Sequence, residues 1–197
     1  MEKTDWLLVG IAVILAVAAA TIMFPDTIGE AFKYAGDSVL DTLVVLTTSE
    51  ESRLQNLEPE TQQKVRELLA TLQAQGLTVY VGQTFRTSAQ EQSAIDSGHS
   101  AVRTHSWHES GRAVDLYPID PDSLQPDLNG KRDDLFIQMQ QAAVAMGFNQ
   151  IAYDSGWQRV YHTNNAGKKF WDGGHIEWHG PFVSASDALS DYQNNVG

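Results

Sequence analysis

An uninterrupted apolar run begins near the first residue, and the pattern of apolar and polar positions changes sharply after it. Residues 6–24 contain no charged side chain. As a helix they would span about 28 Å, close to the hydrocarbon thickness of a bilayer. The run ends at Pro25, without the small residues that usually precede a signal-peptidase cleavage site. We predict a transmembrane anchor over residues 6–24 after a short cytoplasmic segment, residues 1–5; a cleaved signal peptide and a buried core helix are the alternatives.

The next segment has a different periodicity. From Ile28 to Leu46 apolar residues recur every three or four positions, which is typical of an amphipathic helix. Such a helix would lie on the membrane surface or pack on the domain behind it. The polar residues 49–51 then mark a joint, so we predict a membrane-proximal linker over residues 25–50.

The rest of the chain, residues 51–183, alternates between helical and strand-like spacing and predicts one compact α+β domain. The pattern predicts helices over 60–75, 88–95 with Ser88 as the N-cap, and 133–146. It predicts strands over 77–82, 113–117 and 175–178, and a hairpin-like region from Tyr153 to Tyr161. It also predicts a loop over 118–130 and a polar, peripheral tail over 184–197.

Composition excludes several classes of function. The 197 residues include 13 Lys and Arg against 25 Asp and Glu, a formal net charge of −12, so the chain lacks the basic surface that nucleic-acid binding requires. There is no cysteine, which excludes disulfides, thiolate zinc sites and cysteine nucleophiles. Any metal must therefore be held by histidines and carboxylates.

Two short segments combine histidine with acidic residues. In the first, a glycine at 111 lets the chain fold back, so that His108 before the turn and Asp115 after it can converge on one point. On the predicted strand Asp115 shares a face with Ala113 and Tyr117, whereas the residues between them point to the core.

In the second segment, His175 and Glu177 share one face of the last predicted strand. Two imidazoles and one carboxylate from these segments make a three-ligand set that leaves a fourth tetrahedral position open, as catalytic zinc sites do. Asp172, across two glycines from His175, could act as a base toward a water there. The alternatives are that Asp172 begins an ordinary turn, that each histidine is a plain surface or core residue, and that His175 pairs with His179 on a helix.

These segments carry a family resemblance. Ser106-Trp-His-Glu-Ser-Gly-Arg-Ala-Val-Asp115 resembles the Ser-x-His-x-x-Gly-x-Ala-x-Asp signature of the zinc D-Ala-D-Ala peptidases of the VanX/VanY type. Residues 172–178 resemble the second motif of that family, and Arg86 with Glu91-Gln92 is similar to its Arg-Ser/Thr…Glu-Gln element. Because residue 172 is Asp rather than Glu, the chain is most similar to the branch of phage L-alanyl-D-glutamate endopeptidases.

The resemblance implies a fold and a set of roles. The fold would be a small antiparallel sheet flanked by helices, as in the Hedgehog N-terminal domain. His108, Asp115 and His175 would hold Zn²⁺. Asp172 would act as the base, and Arg86 would polarise the scissile carbonyl. The supporting residues would be Ser106, Gln92 and Trp178 as substrate contacts, and Glu177 as the group that orients His108 or His175.

The function implied is that of a membrane-anchored, zinc-dependent peptidase that hydrolyses an L-Ala–D-Glu or D-Ala-type bond in the peptidoglycan stem peptide, in cell-wall lysis or phage entry or release. A wall substrate places the catalytic domain on the periplasmic or wall side of a bacterial inner membrane, or on a phage virion membrane, with residues 6–24 in the bilayer. The alternatives are a D-Ala-D-Ala carboxypeptidase, an inactive zinc-containing wall-binding domain, and a structural protein without metal.

Overall fold

A computed structural model describes residues 48–97, 100, 104–164 and 167–195. The predicted anchor and nearly all of the predicted linker lie outside these residues. Within the described ranges, no helix is both long enough and apolar enough to cross a bilayer.

The described residues form five α-helices, a 3-10 helix and seven strands. The α-helices are α1 (Thr48–Leu54), α2 (Pro59–Ala74), α3 (Ser88–Asp96), α4 (Asp133–Ala145) and α5 (Ala185–Asn195). The strands are β1 (Val79–Val81), β2 (Ala113–Asp120), β3 (Gln125–Pro126), β4 (Asn149–Gln150), β5 (Tyr161–Thr163), β6 (Lys169–Trp171) and β7 (His175–Glu177). The 3-10 helix, Trp107–Ser110, lies directly before β2.

The strands form a small antiparallel sheet in the order β1-β2-β7-β4, with β3 paired to β2 and a separate β5–β6 hairpin. In the central pair of strands, Asp115 of β2 lies opposite His175 of β7. Helices flank the sheet, so the expected α+β fold with a small antiparallel sheet is confirmed.

One hydrophobic core joins the helices to the sheet. The apolar side of α2 follows helical spacing, with Leu68 and Leu72 fully buried. These residues pack in one cluster with Phe136 of α4 and with Leu116 and Ile176 from the sheet. Each of these strand residues neighbours a ligand candidate in sequence and points the other way, because alternate residues of a strand face opposite sides. The core therefore fixes which side chains face away from it.

Two predicted boundaries are wrong. The N-cap of α3 is Thr87 rather than Ser88, because Thr87 and Gln90 form a reciprocal capping box. The predicted loop over 118–130 begins inside β2, which continues to Asp120. Pro118 has no N–H to donate to a neighbouring strand, but its carbonyl accepts a hydrogen bond from the Asp127 N–H, at 2.9 Å.

The ends of the predicted domain also differ from expectation. The polar joint belongs to α1, where the buried Glu50 carboxylate accepts a hydrogen bond from the Val81 N–H, at 3.0 Å. The polar tail contains α5, whose Ala188 is buried against Trp107. Apolar residues are sparse in α5, so its composition gave a weak helical signal even though one face is buried.

The turn between the 3-10 helix and β2 depends on Gly111. Its φ is +66°, a conformation that L residues adopt with strain, and an added Cβ would lie 2.7 Å from the Glu58 backbone nitrogen. Gly76, after α2, has a similar φ of +78° but no atom within 4 Å of the same position.

We therefore expect Gly111→Ala to lower the free energy of unfolding by clearly more than Gly76→Ala does. Both variants carry the conformational cost of about 1–2 kcal/mol, and only Gly111→Ala adds a backbone clash, which costs a further 1–3 kcal/mol or so. Urea denaturation of the two variants measures the difference. Equal losses would show that the close approach at Gly111 is relieved without cost.

Candidate metal centre

Three side chains from two distant parts of the chain converge in a buried triangle. Asp115 and His175 face each other across β2 and β7, and the turn at Gly111 returns His108 to the same point. The Nδ1 atom of His175 lies 3.2 Å from the His108 Nε2 atom and 3.2 Å from the Asp115 Oδ1 atom. The third side, from His108 Nε2 to Asp115 Oδ1, is 3.4 Å. The predicted convergence of these residues is confirmed.

The size of the triangle fits a divalent ion. A tetrahedral zinc ion with bonds of about 2.0–2.1 Å holds its ligand atoms about 3.3–3.4 Å apart. The three measured sides lie close to that spacing, and the three residues form a buried group that could hold a metal. Three protein ligands leave one tetrahedral corner for water or substrate, so the arrangement is of the catalytic rather than the structural type.

Hydrogen bonds on the outer side of each imidazole fix its orientation. The His108 Nδ1–H donates to the carbonyl oxygen of Thr84, at 3.0 Å, which leaves Nε2 free for a metal. The His175 Nε2–H donates to Glu177 Oε1, at 2.9 Å, so that Nδ1 faces Asp115 and His108. Glu177 was expected to orient His108 or His175, and in the structure its carboxylate contacts His175. The Thr84 carbonyl was not expected, because a backbone acceptor leaves no mark in the sequence.

Glu177 also contacts a second histidine. The second oxygen of Glu177 accepts a hydrogen bond from His179 Nε2, at 2.6 Å. The His179 ring stacks on Trp107 with 3.9 Å between centroids. His179 therefore supports the carboxylate behind His175 and does not join the ligand triangle, so the alternative of a His175–His179 ligand pair is wrong.

Opposed electrostatic effects set the charges in the triangle. Burial alone would raise the pKa of Asp115, but the neighbouring charges and hydrogen bonds of His108 and His175 hold that pKa well below its usual range. Burial alone would lower the pKa of His175, but its hydrogen bonds to Asp115 and Glu177 raise it. The site therefore contains an ionised carboxylate, which is the form that binds a cation.

Asp172 lies beside the triangle. Burial raises the pKa of its carboxyl above the usual range, against the opposing effect of the His175 charge. The His175 N–H donates to the Asp172 carbonyl, at 3.4 Å, which holds Asp172 next to a ligand residue, and the charges of Asp115 and His108 also act on its carboxyl. A carboxyl of raised pKa in that place accepts a proton more readily than an ordinary aspartate does.

Arg86 is tied to the same region by Glu91. Its Nη1 donates to Glu91 Oε2, at 3.0 Å, and its backbone N–H donates to the His108 carbonyl, at 3.2 Å. Glu91 is 1% exposed, and hydrogen bonds from Ser100, Arg86 and Ser106 lower its pKa although burial opposes them. The role of Glu91 was missed, although its spacing from Arg86 within the motif was a usable signal.

The three expected substrate contacts lie in different surroundings. The Ser106 hydroxyl donates to Glu91 Oε2, at 2.8 Å, so the serine supports Arg86 indirectly. Gln92 is exposed on α3 and donates to Asp96, at 2.8 Å. Trp178 follows β7 and packs edge-on against Phe148, with 5.4 Å between centroids. The structure does not bring Gln92 or Trp178 to the ligand triangle, because Trp178 alternates with Glu177 and points toward the core.

Comparison with known proteins adds the family. The family model of the phage L-alanyl-D-glutamate peptidases matches residues 44–178, a segment that contains the ligand triangle, Asp172 and Arg86. No curated protein sequence matches the chain.

Several solved structures are similar to the chain. The Serratia marcescens L-Ala D-Glu endopeptidase ChiX is 19% identical, with a TM-score of 0.45, over 77% of this chain and 99% of that one. VanYB in complex with D-alanine-D-alanine is 15% identical, with a TM-score of 0.42, over 72% of this chain and 84% of that one. The D,D-dipeptidase VanXYg, in complex with a D-Ala-D-Ala phosphinate analogue, is 16% identical, with a TM-score of 0.43, over 70% and 58%.

Removal of one imidazole should abolish metal binding. We expect the wild type to retain one zinc ion per chain after dialysis, and His175→Ala to retain none, because two ligands cannot hold the ion against water. Elemental analysis by mass spectrometry measures the stoichiometry. His105→Ala is the matched control, since His105 is half-exposed and bonds to Glu109 outside the triangle. A His175→Ala protein that still holds one zinc ion would contradict the assignment.

Proposed function

The chain belongs to the phage L-alanyl-D-glutamate peptidase family, and on that premise we propose that it hydrolyses the L-Ala–D-Glu bond of the peptidoglycan stem peptide with a zinc ion held by His108, Asp115 and His175. The observation that carries this proposal is the buried triangle of ligand atoms with sides of 3.2, 3.2 and 3.4 Å. It lies inside the segment that the family model matches.

Zinc is the ion proposed because two imidazoles and a carboxylate with one open position are a donor set of catalytic zinc sites. When bound there, zinc supplies Lewis acidity that activates water and polarises a carbonyl. The chain holds the ion through rings whose outer nitrogens are fixed by Thr84 and Glu177.

Asp172 moves the proton. Its carboxylate takes a proton from the attacking water as the water oxygen bonds to the carbonyl carbon. It then delivers that proton to the leaving nitrogen as the carbon–nitrogen bond breaks, so the products are a carboxylate and an amine. The position of Asp172 beside the ligands and its raised pKa support both halves of this role.

Arg86 stabilises the charge that develops on the carbonyl oxygen. Its side chain is 15% exposed, and its one hydrogen bond to another described residue uses Nη1. The remaining guanidinium N–H groups bond to no other described side chain and can donate to the substrate. Because Glu91 holds the guanidinium in place before substrate arrives, little reorganisation is needed when the charge appears.

The test of this function is digestion of purified peptidoglycan. We expect the wild type to release peptides with new C-terminal L-Ala and new N-terminal D-Glu, identified by mass spectrometry. Asp172→Asn should keep its zinc and lose activity by about 10²–10⁴-fold, the contribution typical of a positioned base. The control is Asp122→Asn, because Asp122 is 91% exposed and pairs with Arg132 on the surface.

Two outcomes would contradict the proposal. Release of terminal D-Ala alone would identify a carboxypeptidase instead of an endopeptidase. An Asp172→Asn protein as active as Asp122→Asn would remove Asp172 from its role as the base.

We further propose that residues 6–24 anchor the chain in a membrane, with the peptidase domain on the periplasmic or wall side. The charge-free run is long enough to span a bilayer, and peptidoglycan lies outside the cytoplasmic membrane. The net charge of −12 also favours an anchor, because an acidic enzyme is repelled by the polyanions of a cell wall and gains little from surface attraction.

Membrane extraction tests the anchor. We expect the full chain to stay in the membrane fraction after an alkaline carbonate wash. The double variant Ile14→Lys, Leu15→Lys should move to the soluble fraction, because each lysine near the middle of a spanning helix costs about 2.5–3.5 kcal/mol of insertion free energy. The control is Ile14→Val, Leu15→Val. A wild-type chain found soluble and shortened at its N-terminus would identify a cleaved signal peptide instead.

A further inference from the structure

A tyrosine shares the strand face of a ligand residue. Tyr117 lies two positions beyond Asp115 on β2, so both side chains leave the same side of the strand, opposite the core residue Leu116. On the neighbouring strand, the Leu116 N–H donates to the carbonyl oxygen of Gly174, at 2.9 Å. Tyr117 is therefore placed beside the residue that precedes His175.

The ring of Tyr117 fits a slot that two glycines leave open. A Cβ on Gly82 would lie 2.7 Å from the Tyr117 Cε2 atom. A Cβ on Gly174 would lie 3.1 Å from the Cε1 atom on the other edge of the ring. Because backbone approaches both edges, the ring has little freedom to turn, and the direction of its hydroxyl is fixed by the strands that carry the ligands.

The hydroxyl itself has no role in holding the described part of the fold. No hydrogen bond joins it to another described residue. Both glycines lie at the level of the ligands, since the Gly82 N–H donates to the Asp115 carbonyl, at 2.7 Å, and Gly174 directly precedes His175. The ring therefore extends toward the ligand triangle, where the charges of Asp115, Asp172 and Arg86 act on the phenol. A phenol is protonated at neutral pH and can donate one hydrogen bond.

We propose that Tyr117 is a further catalytic residue, whose hydroxyl donates a hydrogen bond to the scissile carbonyl oxygen as that oxygen becomes negative. This inference rests on the proposed function. The phenol keeps its proton throughout, and it acts beside Arg86 as a second preorganised donor. Such a donor accelerates the reaction because its hydrogen bond strengthens as negative charge develops.

The test is Tyr117→Phe in the zinc-loaded full chain, with a synthetic L-Ala–D-Glu stem peptide as substrate. The matched control is Tyr80→Phe. Tyr80 lies directly opposite Tyr117 across β1 and β2, but its hydroxyl accepts a hydrogen bond from Arg53 Nη1, at 2.6 Å. Each variant removes one phenolic oxygen from the same face of the same pair of strands, but the Tyr80 oxygen is already engaged by Arg53.

We expect Tyr117→Phe to lower kcat on the order of 100-fold, the effect of removing one oxyanion donor, with KM within about twofold of the wild type. Zinc content and Tm should be unchanged, and Tyr80→Phe should retain the wild-type kcat. A second measurement does not depend on turnover. The affinity of Tyr117→Phe for a phosphinate analogue of the scissile bond should fall by about the same factor as kcat/KM, whereas its affinity for the cleaved product peptide should not change.

An active wild type whose Tyr117→Phe variant has the same kcat, or only a raised KM, overturns this inference and leaves the proposed function standing. Equal losses of kcat in Tyr117→Phe and Tyr80→Phe overturn it as well, because they would show that the effect comes from a disturbed sheet and not from the missing Tyr117 hydroxyl. A zinc-loaded wild type that cleaves no wall peptide overturns the proposed function, and this inference with it.

Discussion

The pairing of β2 with β7 is the constraint on which the rest of the site depends. It places Asp115 directly opposite His175, while Val114 and Ile176 point from the same strands into the core. A slip of one residue would turn every side chain of a strand to the other face. It would therefore bury a ligand among apolar side chains and expose the core at the same time. Hydrophobic burial thus holds the ligands in register, although none of the core residues contacts an ion.

Buried acids hold the nitrogen-bearing side chains of the site in place. Glu91 receives the Arg86 guanidinium, and Glu177 receives the outer nitrogen of His175. In both glutamates burial alone would raise the pKa, and hydrogen bonds reverse that effect. Burying an unpaired carboxylate destabilises the folded state. Each of these glutamates therefore has a hydrogen-bond partner, and the pairing sets the orientation of that partner. Part of the chain's large acidic excess therefore serves to orient the Arg86 and His175 side chains.

How much of the site can be predicted depends on the signal that each of its features leaves in the sequence. Strand alternation and the glycine at 111 were enough to predict that His108 and Asp115 converge with His175, and the resemblance in these motifs agrees with the family match. Alternation also placed Tyr117 beside Asp115, but nothing in the sequence distinguished it from a packing residue. The Thr84 carbonyl could not be predicted, because every residue has one. The substrate contact expected at Trp178 stays a prediction, and the structure packs this ring edge-on against Phe148 at the core.

The separation of the ligands along the chain has a thermodynamic consequence. His108 and His175 are 67 residues apart in sequence and meet only when the sheet has closed. An unfolded chain cannot present them together, so an ion that binds this triangle binds the native state almost exclusively. Its binding free energy is then added to the stability of the fold, by about 2.7 kcal/mol when the free ion is present at a hundred times its dissociation constant. The free energy of unfolding of the domain therefore rises with the concentration of free metal ion.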